Sequence, residues 1–287
     1  MNSTNQQNQP NQLNQPNQPN QPNQLVNLLL LLADNSLIIG HRNSEWCGHG
    51  PILEQDIALT NIALDQIGQA RYLYQYIARL VGDRPSLLPF SLSQEPITED
   101  TLAYFRDTRQ FYNVLLVEQP NGDWAQTILR QFLFSAYQLP LYTALQHSKD
   151  HELAAIAEKA AKEITYHLRW SSEWVIRLGD GTEESHRRLM HAFDELWVYT
   201  GELFQPSSAE LAMMKEGVGA DLEAVKRAWC EKVESVFEEA NLPLSHTRND
   251  AAIVFQKGGK EGKHSEYLGY ILAEMQFVQR AYPGCEW

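Results

Sequence analysis

The stretch LDQIGQARYLYQY, from Leu64 to Tyr76, places apolar and aromatic side chains three and four positions apart, the period of one face of an α-helix. Pro51 suits a first helical turn and Gly82 a position just beyond the last, so the sequence predicts a long helix between them. Gln66 and Gln69 lie within this helix. They occupy places where a helix of a metal-binding bundle could present ligands.

The same helical period continues through most of the chain, whereas strand-like alternation is scarce. The predicted helices span about Leu25–His41, Thr98–Val117, Asp123–His147 with Pro140 inside it, Asp150–Leu178, Glu183–Phe204, Ser208–Lys215, Asp221–Glu239 and Ser265–Ala281. The segments Asp83–Pro96 and His246–His264 interrupt the pattern. Long helices joined by short turns predict an all-α fold, an antiparallel bundle with additional helices outside it.

The composition excludes several classes of protein. The 287 residues include 36 Asp and Glu against 23 Lys and Arg, a formal net charge of −13, so we expect no nucleic acid partner. The three cysteines, Cys47, Cys230 and Cys285, are far apart and lack metal-ligand spacing. They are typical of a protein from a reducing cytoplasm, where we expect this one to function.

The first 24 residues repeat Asn, Gln and Pro without a charge, which predicts a disordered tail before a helical domain at residues 25–287. The apolar run LVNLLLLLA, Leu25–Ala33, has no Lys or Arg before Arg42 and is far shorter than the ~20 residues that span a bilayer. We interpret it as part of a core helix and expect no membrane partner.

A helical bundle can hold a di-iron pair when two helices each supply a Glu and two others each supply Glu-x-x-His. The two Glu-x-x-His matches are Glu183–His186, in an opening helical turn, and Glu261–His264, in a glycine-rich loop. We interpret both as surface residues. Glu163 and His167 lie four apart on one helix face and could bind one metal, although a solvated or hydrogen-bonded pair is the favoured interpretation.

The loop GGKEGKH, Gly258–His264, lacks the spacing and the final Ser or Thr of a phosphate-binding P-loop. Lys257, Lys260 and Lys263 nevertheless form a local basic patch that could contact a CoA phosphate or an acidic partner, a solvated loop being the simpler interpretation. The chain has no Gly-x-Ser-x-Gly motif. Nucleophilic catalysis therefore has no support.

Four blocks carry a resemblance to a known family. They are NSEWCGHGPILEQDIALTNIALDQIGQARY (Asn43–Tyr72), LLVEQPNGDWA (Leu115–Ala125), KEITYHLRWSSEW (Lys162–Trp174) and GGKEGKHSEYLGYILAEMQFVQR (Gly258–Arg280). From about Leu25 to Trp287 the chain closely resembles the PaaC family of 1,2-phenylacetyl-CoA epoxidase subunits. The resemblance implies a ferritin-like bundle that is a non-catalytic structural subunit of a multicomponent oxygenase.

The resemblance also implies partners. A catalytic sister subunit of similar fold would hold the di-iron centre and carry out ring 1,2-epoxidation of phenylacetyl-CoA, and a reductase with flavin and an iron-sulfur cluster would deliver electrons from NADPH. At the positions that match the sister's metal ligands, this chain has Leu37, Gln66, Gln69, Ile164 and His167. Only the histidine is retained, so the resemblance implies a degenerate di-iron site.

Neutral side chains cannot supply the anionic oxygens that a di-iron pair needs, so we expect no metal or other cofactor in this subunit. Gln66 and Gln69 are expected to satisfy one another or nearby backbone groups. The alternative is an independent ferritin-like metalloprotein with a rearranged metal site that includes Glu163 and His167. Glu163 lies one residue from the matched position, about 100° around the helix, and should not replace that ligand readily.

Overall fold

The computed structural model describes residues 21–94, 96–242 and 254–285, and within these ranges the chain is helical with no β-strand, which confirms the all-α prediction. The helices are α1 (Gln21–Ser44), α2 (Leu53–Val81), α3 (Glu99–Tyr104), α4 (Leu115–Glu118), α5 (Trp124–Leu145), α6 (His151–Gly179), α7 (Glu183–Leu196), α8 (Ser208–Glu216), α9 (Leu222–Glu239), α10 (Glu266–Met275) and α11 (Phe277–Ala281). Short 3₁₀ turns occur at Pro85–Leu87, Thr108–Gln110, Trp197–Tyr199, Gly201–Phe204 and Gly259–Glu261.

The helices α1, α2, α5 and α6 form an antiparallel core. On α2 and α6, Tyr76 bonds Asp150 near one end and Gln55 bonds Trp170 near the other, so the two helices run in opposite directions. The helices α1 and α2 pack over most of their length. Their approach is close at Gly40, where a Cβ atom would lie 2.9 Å from the side chain of Ile67.

The first helix is buried inside the bundle. The window Gln24–Ser44 is long and apolar enough to cross a bilayer, but 83% of its residues are buried against the rest of the protein. Its apolar run therefore forms core, as the sequence predicts. The helix begins at Gln21, within the segment predicted as a tail; residues 1–20 lie outside the described residues.

Local signals explain several helix ends. The Asp150 side chain accepts a hydrogen bond from the Leu153 amide at 2.9 Å, so it caps α6 as predicted. Gly82 ends α2 with a φ of 48°, a conformation that favours glycine. The last predicted helix is present but interrupted at Gln276, whose side chain donates to the carbonyl oxygens of Ala103 and Arg106.

The helix predicted over 98–117 is wrong, because only α3 and α4 form within that range. Between them the backbone turns its amides toward α1. The Tyr112 amide donates to the carboxylate of Asp34 and the Val114 amide to the side chain of Asn35, each at 2.8 Å. These bonds satisfy buried polar groups of the first helix, and a continuous helix here could not make them.

The helix predicted over 183–204 is also wrong in its second half, where two 3₁₀ turns follow α7. The ring of Phe255 packs so closely on Gly201 that a Cβ atom there would lie 2.3 Å from it. The Glu202 carboxylate accepts hydrogen bonds from the backbone amides of Leu115 and Gly258, each at 2.7 Å. Distant parts of the chain thus shape this turn. The predicted non-helical segment 246–264 lies partly outside the described residues.

Candidate functional site

The positions predicted to match metal ligands all lie inside the four-helix core. Their residues are Leu37 on α1, Gln66 and Gln69 on α2, and Ile164 and His167 on α6, and none is more than 3% exposed. Leu37 and Ile164 belong to the continuous apolar core. The remaining three carry polar groups, and each must find a partner inside the protein.

At the centre of the bundle, Gln66 of α2 pairs with Gln138 of α5. Nε2 of Gln66 donates to Oε1 of Gln138 at 2.9 Å, and Nε2 of Gln138 donates back to Oε1 of Gln66 at 3.3 Å. Both side chains are almost completely buried. Sequence reasoning missed Gln138; the available signal was a glutamine in the middle of an otherwise largely apolar helix.

His167 lies beside this pair and links it to the bundle surface. Its Nδ1 is 3.5 Å from Nε2 of Gln66, a long contact, and its Nε2 is 3.0 Å from Oδ2 of Asp65. The geometry fits a neutral ring with its proton on Nε2, donating to Asp65 and accepting from the amide. Asp65 is about one-third exposed, so this hydrogen-bonded pair reaches solvent.

Gln69 has a different partner, since its Nε2 donates to Oε2 of Glu163 at 2.9 Å. The expectation that Gln66 and Gln69 bond each other is therefore wrong, because each reaches across to another helix. Oε1 of Gln69 is buried without a hydrogen-bond partner among the described residues. Glu163 and His167 also bond to different groups, so they do not form a metal pair with each other.

The donor set at this centre does not fit a di-iron pair. It consists mainly of neutral amides and aliphatic groups, with one imidazole and two carboxylates that are each committed to a hydrogen bond. In the part of the chain that the structure describes, no three His, Cys, Asp or Glu side chains gather where they could hold a metal ion. Several anionic oxygens are needed to neutralise two iron ions.

The two Glu-x-x-His matches differ in environment. His186 is half-buried, with its Nδ1 2.9 Å from the Gly179 carbonyl oxygen. The prediction that His264 is a surface residue is wrong. The side chain of His264 is buried, with Nδ1 2.9 Å from Oε2 of Glu118 and Nε2 2.9 Å from the Phe111 carbonyl oxygen. Two acceptors on one ring favour the doubly protonated form.

Burial opposes that charge, but the hydrogen bond and the charge of Glu118 prevail and raise the pKa of His264 above its ordinary value. Glu118 is itself completely buried and also accepts the Ser265 amide at 2.7 Å. The pair therefore fastens the start of α10 to α4. The sequence gives no local sign of this contact, because the two residues are 146 positions apart.

The predicted basic patch is wrong for one of its three lysines. Lys260 is buried, with Nζ 3.0 Å from Oε1 of Glu210 and further hydrogen bonds to two backbone carbonyls. Lys257 and Lys263 are exposed, and Lys263 pairs with Glu261 at 2.9 Å. The loop thus presents two lysines and one glutamate to solvent instead of three lysines.

The backbone amides of the glycine-rich loop bind the carboxylate of Glu202, which belongs to the same chain. Oε1 of Glu202 accepts the Gly258 amide at 2.7 Å and the Lys260 amide at 3.4 Å. Backbone amides of a loop of this kind are what a phosphate would use. Because the Glu202 carboxylate already binds them, the loop is a poor candidate for the predicted CoA phosphate contact.

One face of α2 is apolar and exposed, and we name it the α2 outer face. Leu53, Ile57 and Leu64 are 71%, 52% and 61% exposed and lie within about 40° of one another on an ideal helix. Gly68 follows on the same side, with open space beyond the position of a Cβ atom. Such large exposed aliphatic side chains on one stripe are typical of a surface that another protein covers.

Comparison with known proteins gives two findings. The family of phenylacetic acid catabolic proteins matches residues 6–287. The chain is also similar to a protein of Escherichia coli (strain K12) that is named as the C subunit of 1,2-phenylacetyl-CoA epoxidase. The two are 44% identical over 258 residues, which cover 90% of this chain and 97% of the relative.

Proposed function

The chain belongs to the family of phenylacetic acid catabolic proteins, and from this we propose that it is a non-catalytic subunit of a multicomponent phenylacetyl-CoA epoxidase. In this role it supports a cytoplasmic catalytic subunit of similar fold, which holds the di-iron centre. A reductase with flavin and an iron-sulfur cluster supplies that centre with electrons from NADPH. The name of the E. coli relative supports the reaction and the existence of partner subunits.

The observation that carries the non-catalytic role is the Gln66–Gln138 pair. It fills the bundle centre with two neutral amides that satisfy each other's carbonyl oxygens. A metal pair placed there would have to break these bonds and would find no set of carboxylates among the described residues to neutralise it. The centre is therefore suited to packing, and redox chemistry requires another subunit.

The α2 outer face supports the proposed association, and we assign the contact with the catalytic subunit to it. Leaving Leu53, Ile57 and Leu64 in water is unfavourable by roughly 1.5–3 kcal/mol for each fully exposed side chain relative to burial. A helix of a partner bundle that packs on this stripe would recover much of that free energy. The neighbouring Gly68 allows such a helix to approach closely.

The first experiment measures iron content, mass in solution and epoxidase activity for the chain alone and for the chain produced with its catalytic subunit and reductase. We expect an iron-free chain alone, a stable complex, and activity only after reconstitution. Near-stoichiometric iron and turnover in the isolated chain would instead establish the alternative, an independent metalloprotein.

The docking surface is tested with Leu64→Glu, which introduces a charge in the middle of the α2 outer face. The matched control is Tyr270→Glu, because Tyr270 is similarly exposed but lies on α10. Both variants should fold like the wild type, and only Leu64→Glu should weaken the complex. Equal affinity of the two variants for the catalytic subunit would show that another surface makes the contact.

A further inference from the structure

The hydrogen bonds at the bundle centre form an unbroken chain from solvent to the middle of α5. Asp65 is about one-third exposed and lies 3.0 Å from Nε2 of His167, whose Nδ1 lies 3.5 Å from Nε2 of Gln66. Gln66 and Gln138 then exchange two hydrogen bonds, at 2.9 and 3.3 Å. The chain thus connects one solvent-accessible carboxylate to three side chains that are at most 1% exposed.

His167 is the member of this chain whose ring can bind a proton at either nitrogen. In the neutral ring, Nε2 carries the proton that Asp65 accepts, and Nδ1 accepts from the Gln66 amide. A second proton has to be placed on Nδ1, where it points at the N–H group of Gln66. Two donors that face each other leave a buried charged group without an acceptor, which is unfavourable.

The amide pair can remove this conflict by turning over. A glutamine amide carries its oxygen and its nitrogen at two similar positions, so a half-turn about its terminal bond exchanges the acceptor and the donor. If Gln66 and Gln138 turn together, both of their mutual hydrogen bonds are retained. Oε1 of Gln66 then takes the place 3.5 Å from Nδ1 of His167 and accepts a hydrogen bond from the protonated ring.

The groups around the His167 ring allow this additional proton. The helices α2, α5, α7 and α9 pack on α6, and among the described residues Asp65 of α2 is the charged side chain that bonds the ring. Glu163, one turn earlier on α6, is bonded to a glutamine of α2, and the Tyr166 ring meets the imidazole edge-on at 6.4 Å. Burial raises the pKa of Tyr142 on α5 to about 12, so this phenol stays neutral. Protonation of the ring therefore converts the contact with Asp65 into an ion pair, which favours the charged form.

We propose that His167, Gln66 and Gln138 form a proton-dependent switch, in which the ring gains a proton by way of Asp65 and both amides turn over to present an acceptor to Nδ1. No helix has to move, because the two states use the same positions with oxygen and nitrogen exchanged. The switch does not depend on the proposed function, since every group in it belongs to this chain. Its result is a bundle centre that binds one proton and reverses its hydrogen-bond polarity in response.

The switch is tested by NMR spectroscopy of the full chain, labelled with ¹⁵N in its histidine rings and glutamine side chains. Ring nitrogen shifts report the charge and the tautomer of His167, and the amide signals of Gln66 and Gln138 are assigned by their loss in Gln66→Leu and Gln138→Leu. We expect both amide signals to change at the same pH as the ring. Amide signals that stay constant while the ring becomes protonated would overturn the proposal, as would a ring that stays neutral until helical circular dichroism is lost.

Two variants that both lack Gln138 test the role of Gln66 as acceptor. Gln138→Leu keeps the Gln66 amide, which can turn toward the ring, whereas Gln66→Leu combined with Gln138→Leu has no acceptor there. We expect the ring of the double variant to become protonated roughly 1 pH unit lower than the ring of Gln138→Leu, the lower end of the range for one hydrogen bond to a charged group. Equal midpoints in the two folded variants would show that Gln66 does not turn toward Nδ1, and the proposal would fail.

Asp65→Asn tests the outer end of the chain. The asparagine keeps an acceptor for Nε2 of His167 but removes the negative charge, so the ring should become protonated at a lower pH than in the wild type. The internal control is His186, which is half-buried and bonds the Gly179 carbonyl oxygen, so its midpoint should be the same in all variants. An unchanged midpoint of His167 in Asp65→Asn would contradict the ion pair on which the switch depends.

Discussion

The Gln66–Gln138 pair makes the sharpest prediction about stability, through the substitution Gln138→Leu. This change removes two hydrogen bonds and leaves the fully buried Gln66 amide with only its long contact to His167. Two bonds at about 1 kcal/mol each and an unsatisfied carbonyl at about 1–3 kcal/mol, partly offset by the apolar leucine, give an expected loss of about 2–4 kcal/mol.

The double variant Gln66→Leu with Gln138→Leu separates the hydrogen bonds from the packing. When both partners become apolar, no amide is left unsatisfied at the pair, so the cost should be well below the sum of the two single changes. We expect the shortfall to be about 2 kcal/mol. A pair of leucines in this apolar core should leave the protein folded.

The measurement is urea unfolding followed by helical circular dichroism, with stability taken from the midpoint at an unchanged slope. The control is Gln205→Leu, because Gln205 is exposed and the change should stay within about 0.5 kcal/mol. If the two single changes simply add in the double variant, the amides do not depend on each other. The reasoning about the bundle centre would then be refuted.

Titration and charge burial give further predictions. The pKa of His264 is raised in the folded protein, so its contribution to stability is complete below about pH 6.5 and should be lost as the pH rises through the folded pKa. Unfolding measured at a series of pH values should show this loss in the wild type and not in His264→Gln. Burial lowers the pKa of His41 to about 4, so stability should decrease as the pH is lowered from about 6.5 to 4. In His41→Gln the free energy of unfolding should change less over this range. Lys260→Met leaves Glu210 as an unpaired buried charge and should destabilise the protein by about 3–5 kcal/mol in urea unfolding, whereas the exposed Lys263→Met should cost less than about 1 kcal/mol.

The parts of the fold that the sequence predicted correctly depend on local signals. Helical periodicity located the core helices, the Asp150 carboxylate capped α6, and Gly82 supplied the positive φ that ends α2. The helix over 98–117 failed because its amides bond to Asp34 and Asn35. Local helical propensity is worth less than a buried hydrogen bond to a distant element.

The same limit applies to the candidate sites. Gln138 is 72 positions from Gln66 in the sequence, and Lys260 is 50 positions from Glu210, with which it forms a buried ion pair. Lys260 has no distinctive sequence context, since lysines are common on loop surfaces, and the signal at Gln138 was its place in a largely apolar helix. The resemblance to a family singled out Gln66 and His167, both of which are buried in the core, and periodicity alone does not distinguish them from other helix residues.

The positions of the buried charges explain why the bundle centre is stable in a neutral form. Away from the centre, the completely buried Asp34 and Arg106 pair at 2.5 Å, and both Asp34 oxygens accept further hydrogen bonds. At the centre, a carboxylate at position 66 would face the neutral amide of Gln138 and the His167 ring, which already bonds Asp65. A Gln66→Glu change should therefore bind a proton and not a metal ion. Introducing one carboxylate would add an isolated acid to an apolar core, so a di-iron site at this centre would need several simultaneous substitutions.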